Sequence, residues 1–255
     1  MTVLLAFLIS ASTFDEVYDS SVKAYREENY AWAIDQLGKL AEQGAEDPTV
    51  YHALGNAFYR QGQLAPAIAS YEHALQLDPA LEVSRDNLAR SIQQTERGLA
   101  KPPPAVWEQR LLFWHAELSP RTARTLALTG WAVFWVLLAL KQFKPIRYLR
   151  RAAAIMLLTT LVFATSAWVK AHPRPLAVAN AARVPVHYGT NEAETVRFEL
   201  YEGDRVIIDK QMNDWTRVIT ADGERGWVKD ALLVTVARPW VDHPPTETTQ
   251  LKVRL

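Results

Sequence analysis

Two long apolar stretches, at 125–140 and 152–169, dominate the pattern of hydrophobic and polar positions. Neither stretch contains Asp, Glu, Lys or Arg. A helix rises about 1.5 Å per residue, so each stretch is close to the length that crosses a bilayer core of about 30 Å. The alternative is a pair of buried helices in a soluble domain, whose apolar runs usually span about 10–14 residues. The pattern therefore predicts transmembrane helices at 122–140 and 152–169.

The segment between these stretches, residues 141–151, reads KQFKPIRYLRR and predicts the orientation of the hairpin. It contains no acidic residue and five basic ones, which are Lys141, Lys144, Arg147, Arg150 and Arg151. Short loops rich in Lys and Arg stay on the cytoplasmic side of a membrane. Because two spans return the chain to its starting side, both flanking regions are predicted to face away from the cytoplasm.

The chain before the hairpin has helical periodicity over 14–100, which ends at the Lys-Pro-Pro-Pro run of 101–104. Successive prolines cannot continue a helix and favour an extended spacer. Trp107, Leu111 and Trp114 then follow i, i+4, i+7 spacing, which predicts a linker and an interfacial amphipathic helix within 101–121. The alternative is that these aromatic side chains cap the helical domain.

Residues 1–13, MTVLLAFLISAST, resemble a short export signal that lacks the usual basic region. Such a signal would agree with the outward orientation that the basic loop predicts. The alternative is that these residues form the apolar beginning of the helical domain.

After the hairpin the pattern changes to short β-like runs between about 180 and 236. They are at 196–200, 205–208, 216–219 and 226–228. Turn residues separate the runs, and Asp222-Gly223 is a strong hairpin signal. Residues 237–255 contain three prolines and no sustained period, which predicts a mobile tail.

Composition and motifs exclude several classes of function. The chain has 28 Lys and Arg against 28 Asp and Glu, so it lacks the basic excess that nucleic-acid binding requires. It contains no Cys, and its six His residues show no metal-ligand spacing. Ser20 and Lys23 match the SxxK pattern of penicillin-binding enzymes, but the companion motifs are absent. We therefore expect neither an enzyme nor a cofactor-binding protein.

An internal repeat lies in the helical region. Residues 48–81 have the large and small residues of a 34-residue helix–turn–helix pattern at Tyr51, Leu54, Gly55, Phe58, Gly62, Ala67, Tyr71, Ala74 and Pro79. This segment resembles a tetratricopeptide repeat. A weaker copy at 14–47 and a capping helix at about 82–98 extend the resemblance over the region 14–100.

The resemblance to tetratricopeptide repeats implies a concave groove that binds peptides or partner proteins. The groove positions of the first helices correspond to Tyr18, Tyr25, His52, Asn56, Tyr59, Asp86 and Arg90. The alternative is that these residues form an ordinary solvated helix face. Two repeats are fewer than the roughly three that such arrays need for stability. We therefore expect the interfacial helix at 106–118 or a partner to complete the packing.

Residues 201–233 resemble a bacterial SH3-like domain through a Glu-Gly-Asp-Arg-Val segment, an Asp-Trp-Thr-Arg-Val segment and a Gly-Trp-Val segment. The resemblance implies a five-stranded barrel over 180–236, with Trp215 and Trp227 in packing roles. It lacks the Arg and Pro of the turn that often follows the first strand of the family. Such domains often bind peptidoglycan peptides or fold against a neighbouring domain, and Tyr188 and Tyr201 are the candidates for an exposed aromatic surface.

The order of these parts resembles the BatE-type membrane proteins of the Bat (aerotolerance) operon. The expected fold class is multidomain: an α-helical tetratricopeptide array, a two-helix transmembrane hairpin and a small all-β SH3-like barrel. The resemblance implies a scaffold in the bacterial inner membrane, with its terminal domains in the periplasm. The implied partners are von Willebrand A-domain membrane proteins and a MoxR-type ATPase. A peptidoglycan-binding envelope protein is the alternative.

Overall fold

The computed structural model describes residues 2–103, 118–143, 148–191 and 195–236, with side chains from Phe14 onward. The interfacial helix predicted at 106–118 lies almost wholly outside these residues, as do residues 144–147 of the basic loop and the whole tail predicted at 237–255. The helices are α1 (Thr2–Arg26), α2 (Tyr30–Glu42), α3 (Pro48–Arg60), α4 (Leu64–Leu77), α5 (Glu82–Gln93), α6 (Pro120–Phe143) and α7 (Leu149–Ala171). The strands are β1 (Leu176–Ala179), β2 (Val184–His187), β3 (Val196–Leu200), β4 (Arg205–Met212), β5 (Trp215–Ile219), β6 (Arg225–Lys229) and β7 (Leu233–Thr235).

Helices α1 to α5, which we call the helical array, pack on one another in chain order. Side-chain caps begin two of them: Asn29 accepts a hydrogen bond from the Trp32 amide, and Asp47 accepts one from the Thr49 amide. Gly62, with a φ of +79°, forms the turn between α3 and α4. The α3–α4 pair coincides with the repeat predicted at 48–81.

The two ends of the array differ from the predicted boundaries. Helix α1 begins at Thr2 and continues without a break into the region predicted to start at residue 14. No Gly or Pro between Thr2 and Arg26 interrupts it. Helix α5 ends at Gln93, short of the predicted residue 98, and Gly98 there has a positive φ of +56° that a helix does not have.

Helix α4 is the central element of the structure. Every residue from Ala65 to Glu72 is buried, which is typical of a helix that is covered on all sides. Helices α3 and α5 contact it within the array, and strands β1 and β7 contact it from the β domain, residues 176–236. The side chains of Ile68 and Tyr71 therefore belong to a core that also contains Leu176, Val178 and Val234.

The β domain is one antiparallel sheet of seven strands in the order β3-β2-β6-β5-β4-β1-β7. The sheet is not closed, since β3 and β7 stand at its ends, so the expected five-stranded barrel is corrected to an open sheet. Strand β1 pairs with both β4 and β7, for example Val178 opposite Arg205 and Val234. The sheet therefore begins four residues before the predicted boundary at residue 180. All four side chains of β1 are buried, so β1 has no alternating pattern by which it could be recognised.

Helices α6 and α7 pack along each other and are each long and apolar enough to cross a membrane. Small residues form their contact: a Cβ atom on Gly130 would lie 2.6 Å from Thr160 Oγ1, and Ala153 and Ser166 are buried. The outer faces are apolar and exposed, with Leu128 70% and Ile155 66% accessible. The hairpin thus has a wide apolar surface that is exposed among the described residues.

Candidate functional site

The predicted groove residues lie on the first helix of each pair. Tyr18 and Tyr25 are on α1, whereas Asp86 and Arg90 are on α5. On α3 the predicted residues are His52, Asn56 and Tyr59, whose i, i+4, i+7 spacing places them on one face. Asp86 and Arg90 are exposed, and the other five are partly buried.

A polar network links three helices beneath this groove. Asn56 Nδ2 lies 3.0 Å from His52 Nε2, and Asn56 Oδ1 accepts hydrogen bonds from Tyr71 Oη at 2.7 Å and Asn87 Nδ2 at 2.8 Å. His52 Nδ1 lies 2.8 Å from Ser84 Oγ. Because Asn56 donates to Nε2, the imidazole carries its proton on Nδ1 and donates to Ser84. Helices α3, α4 and α5 are therefore connected through one amide group.

Burial supports the neutral form of His52 in this network. Desolvation lowers the pKa of His52 below its ordinary value. Protonation would turn Nε2 into a donor and so remove the acceptor that Asn56 uses. The polar atoms of His52 and Asn56 thus form hydrogen bonds within the array itself. The groove surface that remains for a ligand is aromatic and charged.

Tyrosines with adjacent polar groups form this remaining surface. The Tyr25 ring meets the edge of Tyr30, with ring centroids 5.4 Å apart. Arg60 donates to the Tyr30 hydroxyl, with Nη2 at 2.9 Å, and Tyr59 Oη accepts a hydrogen bond from Gln94 at 2.6 Å. Sequence reasoning missed Tyr30, Arg60 and Gln94 because it considered only the groove positions of the first helices.

The β domain keeps its two predicted aromatic candidates in different environments. Tyr188 is 63% exposed, and the Arg197 guanidinium lies 5.3 Å from its ring centroid. Tyr201 is partly buried, and Arg97 of the helical region lies 5.5 Å from its ring centroid. Only Tyr188 therefore contributes to an exposed aromatic surface of this domain. Trp215 is buried, in agreement with the packing role expected for it, and Trp227 is partly buried.

Buried charges attach the β domain to α4. The carboxylate of Glu72, which is 4% exposed, accepts hydrogen bonds from Arg205 at 2.8 Å and Lys101 at 2.6 Å. Nearby, the buried carboxylate of Asp204 accepts a hydrogen bond from the Tyr201 amide at 2.9 Å. Burial raises the pKa of Asp204, against the opposing effect of this backbone donor.

A close backbone approach completes the same interface. A Cβ atom on Gly203 would collide with Thr95 and would lie 3.0 Å from Ile68 Cδ1. Gly203 also has a φ of +87°, which side-chain-bearing residues rarely adopt. The sheet therefore contacts the second helix of the repeat, α4, while Asp86 and Arg90 on the first-helix face stay exposed.

The comparison with protein families matches one segment of the chain to a known family. The tetratricopeptide repeat family matches residues 48–81, which are helices α3 and α4 with their turn. The comparison with characterised proteins gives no match. Within the part of the chain that the structure describes, no group of three or more His, Asp and Glu side chains could hold a metal ion. Tetratricopeptide repeats generally bind proteins, which suggests an interaction module here, and the groove beside the repeat is the candidate functional site.

Proposed function

We propose that this protein is a membrane-anchored scaffold that binds partner proteins in the groove of its helical array. The observation that carries the proposal is the different exposure of the two sides of the helical array. Its second helix, α4, is buried against the sheet, whereas the first-helix side of the array keeps Asp86 and Arg90 exposed beside a tyrosine-rich surface. The role in protein binding agrees with the tetratricopeptide match at 48–81.

The anchor in this proposal is the hairpin of α6 and α7. Its exposed outer faces of Leu, Ile, Val and Trp side chains would be unfavourable in water and favourable in lipid. The basic segment 141–151 orients the hairpin with its loop in the cytoplasm. The array and the β domain then lie together on the periplasmic side of a bacterial inner membrane.

The docked sheet changes how such a scaffold works. Two modules on separate flexible tethers would each bind alone, but Glu72, Arg205 and Gly203 fix the β domain on α4. The groove is thereby held at a defined place near the membrane surface. Confinement beside other membrane proteins raises their effective concentration into the millimolar range, so modest groove contacts suffice for assembly.

The proposed partners are von Willebrand A-domain membrane proteins and a MoxR-type ATPase complex, on the grounds of the order of the parts along the chain. The second candidate is a peptidoglycan-binding envelope protein that acts through an SH3-like β domain. The exposed Tyr188 ring with Arg197 beside it favours this candidate, because sugars and peptides stack on such surfaces.

Site-specific photo-crosslinking in cells tests the two candidates. A photoreactive residue is placed at Arg90 on the groove face, at Lys39 on the exposed face of α2 as the matched control, and at Tyr188 on the sheet. If the protein is a scaffold, position 90 should give an adduct with a membrane protein and position 39 should give none. Mass spectrometry identifies the adducts. Equal adducts from positions 90 and 39 would contradict the scaffold. Adducts from position 188 alone, recovered with the sacculi purified from these cells, would establish the second candidate instead.

A further inference from the structure

A cavity of about 370 Å³ lies where the helical array meets the hairpin. Its wall includes the connection between α2 and α3, the C-terminal end of α4, the N-terminal end of α6 and the C-terminal end of α7. These ends of α6 and α7 are the ones away from the basic loop. The cavity therefore lies at headgroup level on the periplasmic side, an inference that rests on the membrane hairpin of the proposed function.

The charged side chains that line the cavity are mostly cationic. Arg121, Arg124 and Lys170 line it, against a single acidic residue, Glu46. Arg121 donates to the main-chain carbonyl of Glu46, and Arg124 Nη1 lies 3.5 Å from its carboxylate. The Glu46 side chain is 60% exposed, so it neutralises little of this charge. An anion entering the cavity would meet an excess of positive charge.

A histidine lies in the same wall. The His73 ring packs edge-on against Tyr51, with ring centroids 4.0 Å apart. Desolvation lowers the pKa of His73 to about 4, against the opposing effect of a hydrogen bond with Gln76. The imidazole is therefore neutral at pH 7 and adds no charge to the cationic side chains beside it.

The remaining wall is largely apolar. Leu77, Pro120, Ala171 and Pro173 line the cavity, and Gln76 adds a polar side chain. Pro120 and Ala171 are the end residues of the two hairpin helices, so the wall leads onto their exposed apolar surface. A ligand that fits has an anionic head beside an apolar body. We propose that the cavity binds the phosphate headgroup of an anionic phospholipid, whose acyl chains lie along α6 and α7.

Native mass spectrometry of the full-length protein in detergent tests this proposal. Phosphatidylglycerol and phosphatidylcholine are added in turn to the wild type and to a triple variant with Arg121→Gln, Arg124→Gln and Lys170→Gln. Phosphatidylglycerol is expected to bind the wild type preferentially. The triple variant is expected to bind it about 100-fold more weakly, because each of the three basic residues near a membrane surface contributes about fivefold.

The matched control replaces three exposed basic residues outside the hairpin: Lys23→Gln, Lys39→Gln and Lys210→Gln. This control is expected to change phosphatidylglycerol binding by less than about twofold. Glu46→Gln removes the acidic group of the cavity wall and is expected to strengthen binding, a change of opposite sign that general destabilisation would not produce. Unchanged thermal midpoints of the variants verify that they fold.

Two results would overturn the proposal: equal losses in the two triple variants, or displacement of the lipid by an equal concentration of inorganic phosphate. A reporter fusion of alkaline phosphatase after residue 100 tests the hairpin separately. An inactive fusion would refute the periplasmic orientation of the proposed function. Equal losses together with an active fusion would refute only the lipid site.

Discussion

Asn56 illustrates how a residue at a ligand-facing position can be used for structure. Its amide joins His52 on the same helix to Tyr71 on α4 and Asn87 on α5. Spacing along α3 places His52, Asn56 and Tyr59 on one face. It did not predict the network, because Asn87 and Ser84 are 31 and 32 residues away from their partners in the sequence.

At the residue scale we predict that Asn56→Ala destabilises the array. The change removes the acceptor of Tyr71 Oη and Asn87 Nδ2, and an unsatisfied buried polar group costs about 1–3 kcal/mol. Thermal unfolding followed by circular dichroism should show a lower midpoint. Arg90→Ala, on the exposed part of the same groove, should stay within about 0.5 kcal/mol of wild type. Equal midpoints for the Asn56 variant and wild type would show that the network contributes nothing.

At the scale of single elements, the α3–α4 contact depends on one glycine. A Cβ atom on Gly55 would lie 2.6 Å from Cε1 of Tyr71, a fully packed ring 1% exposed. Gly38 is the matched position in α2, where an added Cβ would meet no atom within 4 Å. The two glycines differ in the free space around an added Cβ atom rather than in backbone conformation, since both lie within helices.

We therefore predict opposite effects for the two alanine substitutions. Gly55→Ala overpacks the repeat and should destabilise it by about 1–3 kcal/mol. Gly38→Ala should stabilise the protein by about 0.5–1 kcal/mol, because alanine loses less backbone entropy in a helix. Denaturant or thermal unfolding of both variants measures the signs. Two changes of the same sign would contradict this account of the contact.

An element can be predicted from periodicity when one of its sides faces solvent, because its polar and apolar residues then alternate in a regular pattern. The run predicted at 196–200 coincides with β3, and the ends of β4, β5 and β6 were predicted to within a few residues, whereas β1, β2 and β7 were missed. The side chains of β1 are all buried, and those of β2 nearly so, so neither strand alternates. Helix α4 was predicted as a repeat helix, but its burial on every side depends on a sheet more than 100 residues further along the chain.

For the whole molecule, the ion pair of Glu72 and Arg205 connects the two domains. Both side chains are nearly buried, at 4% and 11% exposure. An ion pair of this kind contributes little net stability as a whole, but removal of one partner leaves a buried charge uncompensated. The Asp35–Lys39 pair on α2 provides a comparison, since its atoms are 2.6 Å apart but its side chains are more than half exposed.

We predict that Glu72→Ala costs about 3–5 kcal/mol and loosens the β domain from α4. Asp35→Ala should cost less than about 1 kcal/mol, because exposed pairs contribute little. Limited proteolysis of the full-length protein should release the β domain faster in the first variant only. The double variant Glu72→Met with Arg205→Met should recover most of the loss. Equal proteolysis rates in the two single variants would refute the interface.

The sequence by itself determined the repeat at 48–81, the two long apolar helices and the change to β structure after them. These features depend on local periodicity, on small residues at close contacts and on turn-forming residues. Only the tertiary structure decided that the sheet is open, that it docks on α4 through Glu72 and Gly203, and that Asn56 is used within the array. Each of these depends on contacts between residues distant in sequence, whose distances a linear pattern does not encode.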